Sequence, residues 1–219
     1  MARRNKNWPK IFILGIGGAI AFVAAVFVYF STATQMQSSD PAPLVHPKVP
    51  NAATLTGARA ESIYQAVRGQ LRKSYLRADN PITEAYQSWR RYNRTPYRSP
   101  NHGERFVNHY ANAEAAGYGE FENLSPLPEG ATIIKDSFSL TRNGDLRSGP
   151  FFMMEKMPAG FPSLAGTWRF MMLRGDGTMV GVTGGVGSDK VLFCAECHHK
   201  AGPKHDYLYF MPQDVRVHR

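Results

Sequence analysis

The two cysteines of this 219-residue chain, Cys194 and Cys197, stand three apart with His198 directly after the second, in the run VLFCAECHHKAGP. Three chemistries use a C-x-x-C pair: a zinc site, a dithiol redox centre, and thioether attachment of haem, whose signature is C-x-x-C-H. Structural zinc asks for four ligands, usually as two spaced pairs. No second cysteine pair exists, and His205 and His218 do not form the H-x-x-x-H pair. A thioredoxin-like pair opens a helix early in a βαβ unit, a pattern that nothing after Cys197 repeats. The haem reading uses every residue of the motif. Cys194 and Cys197 add to the porphyrin vinyl groups, and His198 is carried beneath the iron as its proximal ligand. His199 is expected to face solvent.

Residues 11–30, IFILGIGGAIAFVAAVFVYF, are an unbroken apolar run of the length that spans a bilayer as a helix. The ten residues before it carry Arg3, Arg4, Lys6 and Lys10, so the positive-inside rule leaves the N-terminus in the cytoplasm and exports the chain beyond Phe30. A cleaved signal peptide has a shorter core and a small-residue cleavage site that Ser31-Thr32-Ala33 matches poorly. The expectation is therefore a single-pass protein of the bacterial inner membrane with its C-terminal domain in the periplasm, the side on which haem c is attached.

Composition divides the chain into a basic N-terminus (1–10), a transmembrane helix (11–30), a Pro/Ser-rich linker (31–53) and a periplasmic haem c domain (54–219). Within that domain the spacing predicts a helical part over 54–120. Ile63, Val67 and Leu71 recur every fourth residue, Thr83 to Tyr92 forms a second helix, and Phe106, Val107 and Tyr110 mark a third over Glu104 to Ala116. Residues 121–219 read as β-rich. ATIIKDSFSLT alternates, with Ile134, Phe138 and Leu140 on one face and Ile133, Lys135, Ser137 and Ser139 on the other. Asn143-Gly144 turns it into FFMMEKM, and TWRFMMLR pairs with Thr178 to Val182 across Gly175-Asp176-Gly177. The predicted fold class is α+β, with helices packed on an antiparallel sheet. Gly181, Gly184, Gly185 and Gly187 near Lys190 lack the G-x-x-x-x-G-K-[ST] order of a phosphate loop.

These strands argue against the all-helical small cytochromes, and only 21 residues follow His198, too few for a methionine ligand well downstream. The runs LPEGATIIKDSF, FFMMEKM, GTWRFMML and FCAECHHKAGPKHDYLYFMP resemble the cytochrome P-460 and cytochrome c′-beta family, clearly over residues 127–219 and less specifically over NHGERFVNHYAN. The resemblance implies a β-rich, typically dimeric haem c domain whose iron is open on one face to small nitrogen species. It also implies that Lys135 stands where cytochrome P-460 carries a lysine bonded to a porphyrin meso carbon, the form that oxidises hydroxylamine. Cytochrome c′-beta proteins lack that bond and bind nitric oxide or similar gases.

Phe138, Phe152, Met154, Trp168 and Phe170 are the strand residues expected to line the open face, with ordinary sheet core as their alternative role. Met154, Met157 or Met211 could supply a sixth ligand, and Glu155 and Asp136 are candidate acid–base groups. The formal charge of +9 includes a basic set on the first helices, among them Arg68, Arg72, Lys73, Arg90 and Arg91, which suits an acidic redox partner or anionic headgroups. Nucleic acid is not expected as a partner of an exported domain. Two classes stay open: a hydroxylamine or nitric oxide oxidoreductase passing electrons to a periplasmic or membrane partner, and a non-enzymatic gas-binding or electron-transfer subunit.

Overall fold

In the computed structural model, described here over residues 55–217, the expected α+β layout is overturned. These residues are mostly antiparallel sheet with few helices: α1 (Gly57–Tyr75), α2 (Pro81–Ala85) and α3 (Leu192–His199), joined by short 3-10 turns. The eight strands are β1 (Arg90–Arg91), β2 (Tyr97–Ser99), β3 (Arg105–Ala111), β4 (Thr132–Leu140), β5 (Leu146–Ser148), β6 (Phe151–Lys156), β7 (Trp168–Leu173) and β8 (Met179–Val182). No helix among the described residues is long and apolar enough to cross a membrane. The apolar run 11–30, its basic flank and the linker lie outside the described residues.

The helical part of 54–120 shrinks for a physical reason. RFVNHYA was expected in a helix, yet it is β3, and six of its seven residues are buried. A strand covered on both faces shows no polar alternation, so Phe106, Val107 and Tyr110 fit a helical stripe as well as a strand. The second expected helix stops at Ala85, passes through a 3-10 turn and is already strand at Arg90. Asn80 caps α2, its Oδ1 accepting the Ile82 amide at 2.9 Å, with Pro81 at the first helical position.

The sheet runs β1-β3-β4-β6-β7-β8, with β2 also paired to β3 and β5 to β4. Its register places His109 opposite Lys135, Lys135 opposite Phe152 and Met154 opposite Phe170. Two cores result, one on each face. On the first, Phe106, Tyr110, Ile134, Phe138, Phe151, Met153 and Leu173 pack under Tyr64, Val67, Leu71 and Tyr75 of α1. Each such side chain contributes roughly 1.5–3 kcal/mol by leaving water. On the second face, Ala111, Ile133, Met154, Trp168 and Phe170 pack under Tyr118, Phe121, Leu127, Ala195, Leu208 and Met211.

The glycine-rich segment after β8 brings the chain back to this second face. A Cβ at Gly181 would stand 2.0 Å from the Gly187 carbonyl oxygen, so only glycine lets the loop fold onto its own strand. A 3-10 turn at Ser188–Val191 then delivers α3 against β7.

Candidate functional site

Cys194, Cys197 and His198 sit at i, i+3 and i+4 of α3, a spacing that gathers them on one side of the helix. Both thiols are free and half-buried. They open, with His198, into a cleft of about 1140 Å³ that includes space open to solvent. The sheet floor of this cleft comes from Ile133, Lys135, Phe152, Met154 and Phe170. Its rim comes from the turn carrying Arg98, Ser99 and His102, and from Phe193, Tyr209 and Phe210. Among the described residues two cations, Arg98 and Lys135, line it, and no Asp or Glu does.

His198 is held by one polar contact. Its Nδ1 donates to the Tyr207 carbonyl at 2.8 Å, since a carbonyl oxygen can only accept. That fixes the proton on Nδ1 and leaves Nε2 with its lone pair. The ring packs between Phe170, at 5.3 Å, and Tyr209, at 5.5 Å. Burial, with Lys135 nearby, pushes its pKa down to about 4, so the imidazole is neutral at ordinary pH. Burial raises the Cys194 thiol to about 11, with Cys197 adding to the effect and Lys135 opposing it.

Lys135 is 8% exposed and faces this cleft, on the more polar side of β4. Desolvation brings its pKa down to about 8, against the raising influence of Cys197 and Cys194. Its Nζ lies 3.3 Å from His102 Nε2, while His102 Nδ1 meets Ser99 Oγ at 2.8 Å. Behind them the buried His109 bridges Tyr97 and Tyr118, each at 2.8 Å. Burial and the neighbouring Lys135 hold both His102 and His109 neutral, His102 with a pKa near 2.

The structure thus brings Cys194, Cys197, His198, Lys135, Phe152, Met154 and Phe170 to one cleft. Two expected lining residues stand elsewhere. Phe138 points to the opposite face, stacked on Phe106 at 5.2 Å and on Tyr64 at 6.4 Å. Trp168 is wholly buried beside the cleft, its indole N–H donating to the Asp206 carbonyl at 2.7 Å. Asp136 also lies on the α1 face, accepting from Tyr64, Tyr86 and Asn108, and Glu155 is paired with Arg169. Met211 is buried in the second core and, like Met157, does not line the cleft, whereas Met154 does. His199 is exposed, with Nδ1 on the Leu164 carbonyl at 2.7 Å.

His102 and the Tyr207 carbonyl escaped sequence reasoning. The only trace of the first is a histidine in the Pro100–Gly103 turn, and a backbone oxygen leaves no trace at all.

A haem fits these donors. Among the described residues no three His, Cys, Asp or Glu side chains are grouped to hold a bare metal ion. A metalloporphyrin brings its own four nitrogens and asks of the protein one imidazole and, for haem c, two thiols. The cleft supplies both on one helix, over a floor that is apolar apart from Lys135. The chain matches no family model and no curated protein.

Proposed function

We propose that this chain is a c-type haem protein of the cytochrome P-460 kind, exported to the periplasm at the bacterial inner membrane, which oxidises hydroxylamine or nitric oxide and passes electrons to a periplasmic or membrane partner. The observation that carries the reading is the His198 constellation: a neutral imidazole with Nδ1 on the Tyr207 carbonyl, beside two free thiols in one apolar cleft. When bound, the haem supplies the one-electron chemistry and the open coordination position for a small nitrogen species. The thiols of Cys194 and Cys197 would hold it covalently, and His198 Nε2 would bind its iron. Phe152 and Met154 would keep water from the bound group, while Phe170 packs against the His198 ring. Lys135 would meet the porphyrin edge, its amine set beside His102 Nε2 at 3.3 Å.

Met154 favours a second reading. Its thioether lines the same cleft, and as a sixth ligand it would close the iron to substrates and suit a gas-binding or electron-transfer subunit.

Acid–acetone extraction of the denatured protein should leave the haem on the chain through Cys194 and Cys197; free haem, or a zinc signal in its place, overturns the reading. The ferrous optical spectrum separates the two classes. A spectrum shifted from ordinary haem c, restored to ordinary by Lys135→Ala together with loss of hydroxylamine oxidation but retention of nitric oxide binding, supports the enzyme. One ordinary six-coordinate spectrum in both proteins supports the carrier.

A further inference from the structure

We infer that Asp206 is the positioning residue of His198: clamped by Lys156, Trp168 and the Leu127 amide, it aims the next carbonyl, that of Tyr207, at the imidazole and so sets the donor strength of the axial ligand. The inference rests on the haem reading above.

The segment after α3 has an unusual backbone. Asp206 and Tyr207 are consecutive non-glycine residues at positive φ, 51° and 60°, a region that side chains avoid unless the surroundings hold them there. Asp206 is held at both ends. Its buried carboxylate takes the Leu127 N–H on Oδ2 at 3.0 Å and the Lys156 ammonium on Oδ1. Its carbonyl takes the Trp168 indole N–H at 2.7 Å, and Lys156 lies over that indole, 5.0 Å from the ring centroid. The Asp206 amide bonds to the Pro203 carbonyl at 3.0 Å and the Tyr207 amide to the Gly202 carbonyl at 2.9 Å. The Tyr207 ring is seated against Gly166, where a Cβ would come within 2.7 Å of it.

The peptide planes around Asp206 therefore have little freedom, and the next acceptor along the chain is the oxygen that holds His198 Nδ1. Aromatic rings flank the imidazole, and this is its one hydrogen bond among the described residues. A hydrogen bond from the far nitrogen of a ligating imidazole fixes its tautomer and raises its basicity. Loosening the clamp must therefore weaken the donor without touching it. Trp168, expected from sequence to line the cleft, acts instead through this turn.

The test compares the full haem-loaded chain with Asp206→Asn, which removes the carboxylate charge facing Lys156, and Trp168→Phe, which removes the indole donor together with part of the buried ring. The destabilising control is Phe151→Leu, on the opposite face of the sheet. The expected result is covalent haem retained in all four proteins, but a higher midpoint potential in the two clamp variants. Loss of the iron–histidine bond when nitric oxide binds the ferrous protein should also become easier, by roughly 10–100-fold in equilibrium, the usual effect of removing an outer partner. The control should match wild type on both readouts. Clamp variants that match wild type, or a control that shifts equally, overturn the inference. ¹⁵N-histidine spectra of the chain produced without haem give an independent reading: the Nδ1–H tautomer of His198 dominates in wild type and gives way to a mixture in Asp206→Asn and Trp168→Phe. Absence of covalent haem in wild type defeats the functional reading alone, because the tautomer still reports whether the clamp acts.

Discussion

At the scale of single residues, burial of neutral histidines is the feature with the clearest energetic consequence. His102 titrates near 2 in the fold and near 6.5 when unfolded, because burial and the charge of Lys135 and His198 disfavour its imidazolium. His109 is shifted in the same direction by burial, Lys135 and His102. Between pH 6.5 and the folded pKa the unfolded chain binds more protons, so stability falls as the pH drops, by up to about 1.4 kcal/mol per pH unit for each group. Asp136 works the other way: burial raises its folded pKa, so its protonation favours the fold as the pH falls through the carboxylate range. Urea midpoints between pH 7 and pH 4.5 should therefore fall for wild type and fall less steeply for His102→Gln. Parallel slopes would show that His102 is not held neutral.

At the scale of elements, α1 is tied to the sheet through a buried carboxylate. Tyr64 Oη donates to Asp136 Oδ2 at 2.6 Å, Tyr86 adds a bond at 3.1 Å, and Asn108 reaches Oδ1 at 2.9 Å. Arg91 extends the array, bonding Glu61 through its two terminal guanidinium nitrogens and, through Nη2, the Asn108 side-chain oxygen at 2.6 Å. Tyr64→Phe removes a donor from a carboxylate that water does not reach, and should cost about 1–3 kcal/mol in urea denaturation. The optical spectrum of the loaded protein should not move, since this array lies across the sheet from the cleft. A spectral change would mean that the two faces are coupled. The same elements show where sequence reading worked. The stripe of α1 and the alternation of β4 were legible because each is a local period. Strand β3 was not, because burial on both sides erased its polar face.

At the scale of the whole molecule, the sheet separates two jobs. One face builds stability with α1, and the other builds the cleft with α3 and the C-terminal segment. The haem attachment proposed above would place this domain outside the cytoplasm. A fusion of periplasm-active alkaline phosphatase after Arg219 should be active; activity of only a cytoplasmic reporter at that position would contradict the periplasmic placement.

By itself, the sequence determined what depends on neighbours along the chain. The spacing of Cys194, Cys197 and His198 places them together on one helix wherever that helix lies, and the period of two in ATIIKDSFSLT sets Lys135 apart from Phe138. Only the tertiary structure decided which face of β4 looks into the cleft, that Phe138 belongs to the other core, and that Trp168 serves the Asp206 turn. The physical reason is that alternation is symmetric about a strand: it sorts side chains into two sets without saying what covers each. Long-range packing makes that assignment, and it alone brings His102, from a turn 33 residues earlier, to Lys135 and the Tyr207 carbonyl to His198.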